Sequence, residues 1–229
     1  VQDNTTIGLG SGSTFLFVLE RLAERIQKEG LSVRGTPTSV GTANAAEQKG
    51  IPLLSLEQVD HLDLAIDGAD EVDPDKNLIK GGGAAHTRER IVAAIADELV
   101  VIVGENKMVD ALGTTFRLPV EVLPFGWTHA RKRIEATGCQ TELRQRDEQP
   151  LVTDNGNWIL DCTYDRIGEP AALAAALDSM VGVVDHGLFV GMAGRGGEAV
   201  AAVLQADAGA RHDHARAEAQ VVGLEEQDK

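Results

Sequence analysis

The sequence has little cysteine and no long apolar run. Only Cys139 and Cys162 occur among 229 residues, which is too few for a disulfide framework or for a zinc site with four protein ligands. No apolar run approaches the ~20 residues that cross a bilayer, and no leader-like segment precedes the first strand-like stretch. These absences predict a cytoplasmic protein that does not enter a membrane.

Positive charge is also scarce. The chain has 21 Lys and Arg residues against 36 Asp and Glu residues, a formal net charge of −15. Nucleic acids and anionic membranes repel such a polyanion, so neither is an expected partner. A small anionic ligand is still compatible with this charge, because one pocket can be basic inside an acidic protein. With 43% hydrophobic residues, the chain can bury a core as one large domain or two small ones.

The first half of the chain alternates strand-like and helix-like segments. Strands are predicted over residues 6–9, 31–35, 62–66 and 99–103, and helices over residues 15–28, 41–49 and 84–96. Apolar strands separated by helices indicate a mostly parallel sheet with helices on both faces. The sequence therefore predicts an α/β, Rossmann-like fold.

The second half predicts a smaller α+β unit. The order helix, strand, strand, helix, strand over residues 123–186 suits a ferredoxin-like subdomain. We expect an α/β catalytic domain made of residues 1–122 and 187–204, in which residues 188–192 return to the first sheet. Residues 205–229 are polar and charged, so we expect a tail that is disordered or loosely packed.

A glycine-rich turn, Gly8-Leu9-Gly10-Ser11-Gly12-Ser13-Thr14, joins the first strand to the first helix. Glycines let a backbone approach an oxyanion, and amides at a helix N-terminus favour negative charge. The turn therefore either binds an anion through Ser11, Gly12, Ser13 and Thr14 or is an ordinary helix start. It lacks the lysine of a Walker loop, which disfavours nucleoside triphosphates.

Carboxylates follow the strand predicted at 62–66. Asp67 and Asp70 are three residues apart across a turn that contains glycine, and ligands of open α/β sheets bind where strands end. The pair is consistent with an acid/base pair, a metal site or a solvated acidic loop. We assign the neighbouring Glu71 and Asp73 to a solvated loop.

A lysine lies next to three glycines in Lys80-Gly81-Gly82-Gly83. The glycines would let a substrate lie against the backbone, and a lysine there can stabilise a developing oxyanion. The alternative is an exposed lysine before a helix.

Two further charged residues are candidates for the same pocket. Glu89 lies in the first turns of the helix at 84–96, where the alternative is a salt-bridged surface carboxylate. Lys107 follows the strand at 99–103 and is a candidate phosphate contact. His61, His86, His129 and His186 are scattered without metal-ligand spacing, so we expect structural or surface roles for them. Together, carboxylates, a lysine and an anion-binding turn indicate proton transfer next to a carbonyl in a phosphorylated metabolite.

The motifs described above resemble those of the type A ribose-5-phosphate isomerase family. The similarity rests on residues 8–14, 67–71, 80–85, 87–89, 118–122, 152–157 and 187–189, and covers roughly residues 5 to 192. It implies interconversion of ribose 5-phosphate and ribulose 5-phosphate through an enediolate, without a metal or organic cofactor. A homodimer or homotetramer is also implied.

The resemblance also implies roles for individual residues. Glu89 matches the base that moves the proton between C1 and C2, and Asp67 matches the acid/base at the sugar oxygens. Asp70 and Lys80 match their partners, with Lys80 polarising the carbonyl. Phosphate contacts are implied at Ser11, Gly12, Ser13, Thr14 and Lys107.

Two departures from the family pattern concern the ends of the chain. The helix that usually precedes the first strand is absent, and the residues after Ala193 do not resemble the usual final strands, so a last sheet strand is expected to be missing or replaced. A non-catalytic sugar-phosphate sensor and a coenzyme A transferase relative are the alternative functions. Neither a helix-turn-helix nor the transferase's catalytic glutamate is identifiable, which favours the isomerase.

Overall fold

The structure is a computed structural model that describes residues 1–193 and two further strands, Ala201–Leu204 and Ala219–Val221. The helices are α1 (Ser13–Glu29), α2 (Val40–Gln48), α3 (His86–Ala94), α4 (Trp127–Glu135) and α5 (Pro170–Asp178). The strands are β1 (Thr5–Leu9), β2 (Val33–Pro37), β3 (Leu64–Asp67), β4 (Glu71–Val72), β5 (Leu78–Ile79), β6 (Leu99–Gly104), β7 (Leu118–Val122), β8 (Gln140–Leu143), β9 (Gln145–Arg146), β10 (Gln149–Pro150), β11 (Trp158–Thr163), β12 (Val183–His186), β13 (Leu188–Phe189), β14 (Ala201–Leu204) and β15 (Ala219–Val221).

The main sheet has the strand order β15-β14-β6-β3-β1-β2. Its pairings are parallel except that of β14 with β15. Side chains alternate across β6: Leu99, Val101 and Val103 pack with α3, while Val100 and Ile102 pack against the core that α1 covers. Because both faces of the sheet are covered at β6, this strand is apolar from Leu99 to Val103. The predicted α/β fold is confirmed.

The four-stranded sheet has the order β12-β7-β11-β8 and is antiparallel throughout. Together with α4 and α5 it forms the predicted ferredoxin-like unit, whose core contains Val120, Ile134 and Leu177. β7 lies inside this sheet, so the boundary expected after Val122 is wrong. The four-stranded sheet begins with Leu118, because β11 and β12 take the hydrogen bonds of β7 on both sides.

Residues 188–192 do not return to the main sheet, contrary to expectation. β13 pairs with β5 in a three-stranded sheet of order β13-β5-β4. The pairing is favoured because the Lys80 amide donates to the Gly187 carbonyl at 2.8 Å, immediately before β13. This contact brings the end of the small unit to the segment that carries Lys80.

The residues after Ala193 contribute two strands to the main sheet. β14 pairs in parallel with β6, and β15 pairs with β14 from within the predicted tail. A final strand next to β6 is therefore present. The remaining residues of the predicted tail at 205–229 lie outside the described residues. Among those that are described, none of the helices has the length and apolarity needed to cross a membrane.

Candidate active site

The candidate site is a pocket at the carboxyl ends of β1 and β3, next to the first turns of α1 and α3. It is lined by Ser11, Gly12, Ser13, Thr14, Gly68, Ala69, Asp70, Lys80, Gly81, Gly82, Gly83, Glu89 and Lys107. All the predicted site residues except Asp67 line this pocket, and Asp67 contacts Lys80 from behind. Gly68 and Ala69 are additional lining residues.

Lys80 lies at the centre of the charged groups. Its ammonium is 3.0 Å from Asp67 Oδ2 and 3.2 Å from Glu89 Oε2, and it donates a hydrogen bond to the Gly68 carbonyl. Lys80 exposes 3% of its side chain and Glu89 6%, so the exposed-lysine alternative is wrong. The Phe189 ring lies 5.5 Å from Nζ and covers the cation from the β13 side. Three ionisable groups therefore share one buried site.

Burial and the neighbouring charges both shift the pKa values of these groups. Burial lowers the pKa of Lys80, but the charges of Asp67 and Glu89 outweigh it, so its pKa is raised and the ammonium stays charged. Burial and the nearby Asp67 charge raise the pKa of Glu89 to about 8, against the opposing effect of Lys80. A carboxyl group with a raised pKa, in contact with a charged lysine, is suited to proton transfer near neutral pH.

The Asp67 carboxylate is fixed at both oxygens. Oδ1 accepts hydrogen bonds from the amides of Gly68 at 2.8 Å and Ser11 at 3.1 Å, while Oδ2 faces Lys80. The Ser11 amide belongs to the glycine-rich turn after β1, so Asp67 connects that turn to Lys80. Since Asp67 is buried, the solvated-loop alternative does not hold for it.

Asp70 is held by the glycine loop. Its Oδ2 accepts a hydrogen bond from the Gly82 amide at 2.8 Å. Burial raises the pKa of Asp70 despite that amide and the positive charges of Lys80, Lys107 and Arg144. Asp70 is thus a less buried lining residue of the pocket than Asp67 and Glu89.

The glycine-rich turn differs in one detail from expectation. Gly12 precedes α1 with φ 96°, and no side chain caps this helix, so the amides at its start are available to an anion. The Ser11 hydroxyl is engaged with the hydroxyl groups of Thr38 at 2.8 Å and Ser39 at 2.9 Å. Ser11 therefore ties the turn to the start of α2 through its hydroxyl and to Asp67 through its amide.

Glu71 and Asp73 are not in a solvated loop, contrary to the sequence-based assignment. Glu71 is fully buried and accepts hydrogen bonds from the amides of Gly113, Thr115 and Phe116 at 2.6–2.7 Å. Asp73 is also buried and accepts from Asn77. The Phe116 ring lies 5.7 Å from Lys107 Nζ, so the amides that satisfy Glu71 also position the segment beneath this lysine.

Glu121 is a buried residue of the site that the sequence does not reveal. One of its oxygens accepts hydrogen bonds from Thr153 at 2.8 Å and Asn157 at 2.9 Å. The other accepts from the hydroxyl of Thr87, two residues before Glu89. Glu121 therefore joins β7, the 153–157 turn and the start of α3.

The helix that carries Glu89 is tied to the antiparallel sheet at two more positions. Arg88 donates to Asn155 Oδ1 and to the Asp154 carbonyl, each at 2.8 Å. Arg90 pairs with Asp185 at 2.8 Å and lies 4.2 Å from the centre of the Phe189 ring. The immediate neighbours of Glu89 are thus bound to the small unit, while its own side chain faces Lys80.

The four histidines considered above lie outside the pocket. His86 and His186 are buried, whereas His61 and His129 are exposed. His86 lies behind Gly81, where a Cβ on the glycine would be 2.6 Å from His86 Nδ1. Among the described residues, the three side chains grouped closely enough to hold a metal ion are the exposed His61, Asp63 and Asp97, which precede β3 and β6 at the opposite end of the main sheet.

Fold and site together define an aldose-ketose isomerase. A family model described as Ribose 5-phosphate isomerase A (phosphoriboisomerase A) matches residues 34–200, and the chain belongs to this family. It is 51% identical over 193 residues to Ribose-5-phosphate isomerase A 1 of Oceanobacillus iheyensis, covering 84% of this chain and 86% of that protein. The resemblance predicted from the motifs is confirmed.

Solved structures give the same answer. A D-ribose-5-phosphate isomerase in complex with phospho-erythronic acid has a TM-score of 0.82 at 39% identity, covering 84% of this chain and 85% of the other. The ribose 5-phosphate isomerase from Plasmodium falciparum has a TM-score of 0.87 at 35% identity, covering 100% of this chain and 93% of the other. These similarities support the isomerase rather than a non-catalytic sensor.

Proposed function

We propose that this pocket interconverts ribose 5-phosphate and ribulose 5-phosphate, with Glu89 as the group that moves the proton. The observation that carries the proposal is the buried ammonium of Lys80 between Asp67 and Glu89, at 3.0 and 3.2 Å. A carboxylate next to a fixed cation can take a proton from carbon while the cation stabilises the negative charge that develops on oxygen.

The reaction begins with the open-chain aldose. Glu89 takes the proton from C2, and the electrons of that C–H bond form the C1–C2 double bond, which leaves the negative charge on O1 and gives the enediolate. Protonation of O1 gives the enediol. Glu89 then returns its proton to C1 while the O2 hydroxyl loses one, which leaves the ketose. Atoms and charge balance without an external oxidant, because one carbon is oxidised as its neighbour is reduced.

Lys80 and Asp67 act on the oxygens in this proposal. Lys80 stabilises the enediolate, and Asp67 exchanges protons with the sugar oxygens and assists ring opening. General acid–base catalysis contributes ~10²–10⁴-fold, and loss of one donor to an oxyanion costs ~10²–10³-fold. Asp70, held by the Gly82 amide, orients the sugar hydroxyls against Gly81, Gly82 and Gly83.

The phosphate binds at the other end of the pocket. We assign it to the turn at Ser11 and Gly12, the first residues of α1, Ser13 and Thr14, and the ammonium of Lys107. The Ser11 amide is held by Asp67, so the amides that follow it in the turn are the donors to the phosphate. The uncapped start of α1 supports this assignment. A helix N-terminus and one lysine supply local positive potential within a chain of net charge −15.

Partners and location are also proposed. The substrate is a phosphorylated pentose of the pentose phosphate pathway, the enzyme is cytoplasmic and forms a homodimer or homotetramer, and it binds neither nucleic acid nor membrane. We propose that no metal or organic cofactor takes part, because Lys80 supplies the positive charge that a metal would otherwise provide next to Asp67.

The test is the formation of ribulose 5-phosphate from ribose 5-phosphate, measured directly with and without excess chelator. Turnover unaffected by the chelator is expected. Activity that is lost with the chelator and restored by magnesium or manganese would overturn the cofactor proposal. Tight binding of ribose 5-phosphate without turnover would instead favour a sugar-phosphate sensor.

A further inference from the structure

Arg144, just after β8, connects the antiparallel sheet to the glycine loop of the pocket. Its Nε donates to Asp161 Oδ2 at 2.8 Å, and its Nη2 donates to the other oxygen of the same carboxylate. Its Nη1 donates to the carbonyl oxygens of Gly81 at 2.9 Å and Gly82 at 3.1 Å. Both Arg144 and Asp161 expose only 14% of their side chains, so the planar guanidinium is held on both edges in a site with little solvent.

These contacts help to fix the direction of two peptide groups, together with the Ala84 amide, which donates to the Gly81 carbonyl at 3.0 Å. In a trans peptide, the carbonyl of one residue and the amide N–H of the next point in opposite directions. Because Arg144 holds the carbonyls of Gly81 and Gly82 on its own side, the N–H groups of Gly82 and Gly83 point the other way, towards the pocket. The Gly82 N–H binds Asp70 at 2.8 Å, as this geometry requires.

The Gly83 amide is the second of these donors. Gly83 lines the pocket, and its N–H has no acceptor among the described residues. A Cβ on Gly83 would have no atom within 4 Å, whereas one on Gly82 would be 2.7 Å from Asp70 Oδ1. The pocket is therefore open beside Gly83, and the N–H of this residue lies on the side of its peptide away from Arg144, where a substrate oxygen can reach it.

We infer that Arg144, fixed by Asp161, is a positioning residue for the isomerisation: it aims the Gly83 amide at the oxygen that becomes negative in the enediolate and holds the Gly82 amide on Asp70. This inference rests on the proposed function. Arg144 does not line the pocket, so it acts through the two peptides and not by touching the substrate. Its positive charge also partly opposes the rise that burial causes in the pKa of Asp70.

The first test is kinetic, with purified full-length variants. Arg144→Ala is expected to reduce kcat by about 10- to 100-fold per folded molecule with little change in KM, since a preorganised donor to an oxyanion acts in the transition state. Arg144→Lys should recover part of kcat, because one ammonium can hold a carbonyl but not both carbonyls and Asp161. Asp161→Asn should give an intermediate loss and add little to Arg144→Ala in the double variant.

The matched control is Arg117→Ala, which removes an ion pair with Glu142 on the same sheet at an exposed position. Its kcat should equal that of the wild type. Thermal unfolding of every variant separates folded fraction from turnover. If Arg144→Ala lowers stability but leaves kcat per folded molecule unchanged, the positioning role is overturned. Arg144 then only stabilises the contact between the antiparallel sheet and the glycine loop.

A binding measurement separates this inference from the proposed function. Phospho-erythronic acid carries a carboxylate that presents two oxygens, as the enediolate does, whereas inorganic phosphate occupies only the phosphate end. Calorimetric titration of Arg144→Ala should show affinity for phospho-erythronic acid reduced about tenfold and affinity for phosphate unchanged. Equal losses for both would contradict the inference, whereas a wild-type enzyme that does not isomerise ribose 5-phosphate would contradict the proposed function itself.

Discussion

Gly10 lies directly against the carboxylate of Asp67. A Cβ at position 10 would be 2.3 Å from Asp67 Oδ1 and 2.6 Å from the carbonyl oxygen of Ile66. The Gly10 amide also donates to that carbonyl at 2.9 Å, so the ends of β1 and β3 are too close for any side chain. The glycine thus allows Asp67 to accept the Ser11 amide while facing Lys80.

Replacement of Gly10 by alanine should damage the site more than the fold. We expect Gly10→Ala to displace the Asp67 carboxylate and lower kcat/KM by about tenfold or more, with about 1–3 kcal/mol less stability from overpacking. Steady-state kinetics and urea unfolding measure the two effects. Gly168→Ala is the control, because no atom lies within 4 Å of a Cβ there. Wild-type kcat/KM in Gly10→Ala would show that the close approach has no catalytic consequence.

Glu89→Gln keeps the shape of the side chain and removes the proton acceptor. Turnover should fall by about 10²-fold or more with little change in KM, because the lost function is proton transfer and not binding. Steady-state assays measure this, with the exposed Glu20→Gln as a control expected to behave as wild type.

The pH profile checks the same residue. A base works in its deprotonated form, and the pKa of Glu89 is raised to about 8. Wild-type kcat/KM should therefore increase with pH up to about 8 and then level off. The residual activity of Glu89→Gln should lack this rise. Near-normal turnover in Glu89→Gln would leave this residue with only a salt-bridge role.

Lys80→Met should destabilise the fold, because it leaves Asp67 and Glu89 together in a buried site without their cation. Breaking one side of a buried ion pair costs about 3–5 kcal/mol. Glu89 already has a folded pKa of about 8, above its unfolded value of 4.5, and loss of Lys80 raises it further. The folded variant thus binds more protons than the unfolded chain, so its stability declines as pH rises.

Urea unfolding at pH 6 and pH 9 tests this sign. The free energy of unfolding of Lys80→Met should fall further below that of the wild type at pH 9 than at pH 6. Lys49→Met, which removes a solvent-exposed pair with Glu20, should change stability by less than ~1 kcal/mol at either pH. A deficit that is independent of pH would mean that the carboxylates are not the source of the destabilisation.

His86 should contribute to acid unfolding. Burial, followed by the charges of Arg90 and Arg144, lowers its pKa from 6.5 to about 3. Between these values the unfolded chain binds a proton that the folded chain does not, so stability is lost as pH falls from about 6.5 towards 3. One such group accounts for about 1.4 kcal/mol per pH unit within that range.

His86→Leu should flatten this loss of stability, because it removes the titrating imidazole. Neither ring nitrogen of His86 has a hydrogen-bond partner among the described residues, so the replacement leaves no partner group unsatisfied. Thermal unfolding across pH 4–7 measures the slope, with His129→Leu at an exposed position as the control. An unchanged slope in His86→Leu would assign acid unfolding to other groups, such as His186, whose pKa burial lowers to about 4.

Most of the residues that line the pocket can be predicted from the sequence, and the structure adds Gly68 and Ala69 to them. Lys80 lies beside three glycines and Glu89 follows it closely in the sequence, so the two side chains stand out as one candidate site. The parallel sheet follows in the same way from strands and helices that alternate along the chain. In both cases the prediction depends on residues that are close to one another in the sequence.

The residues that support the pocket are not predictable in this way. Glu121 and Arg144 reach the site only through strand pairings over long sequence separations, as when Glu121 meets Asn157 or Arg144 meets Gly81. The local sequence predicts a solvated carboxylate at Glu71, because its hydrogen-bond partners at 113–116 are about forty residues away along the chain. A buried acceptor and a surface carboxylate have the same local sequence, so only the three-dimensional pairing separates them.

The three ties of helix α3 make the position of Glu89 redundant. Thr87, Arg88 and Arg90 each bind a different part of the antiparallel sheet, and no two of them share an acceptor. Loss of one tie leaves two others to hold the same helical turn. A single substitution at one of these positions should therefore leave Glu89 in place, whereas substitutions at two or three of them together should displace it. These positions can accordingly vary one at a time without a change in the position of Glu89.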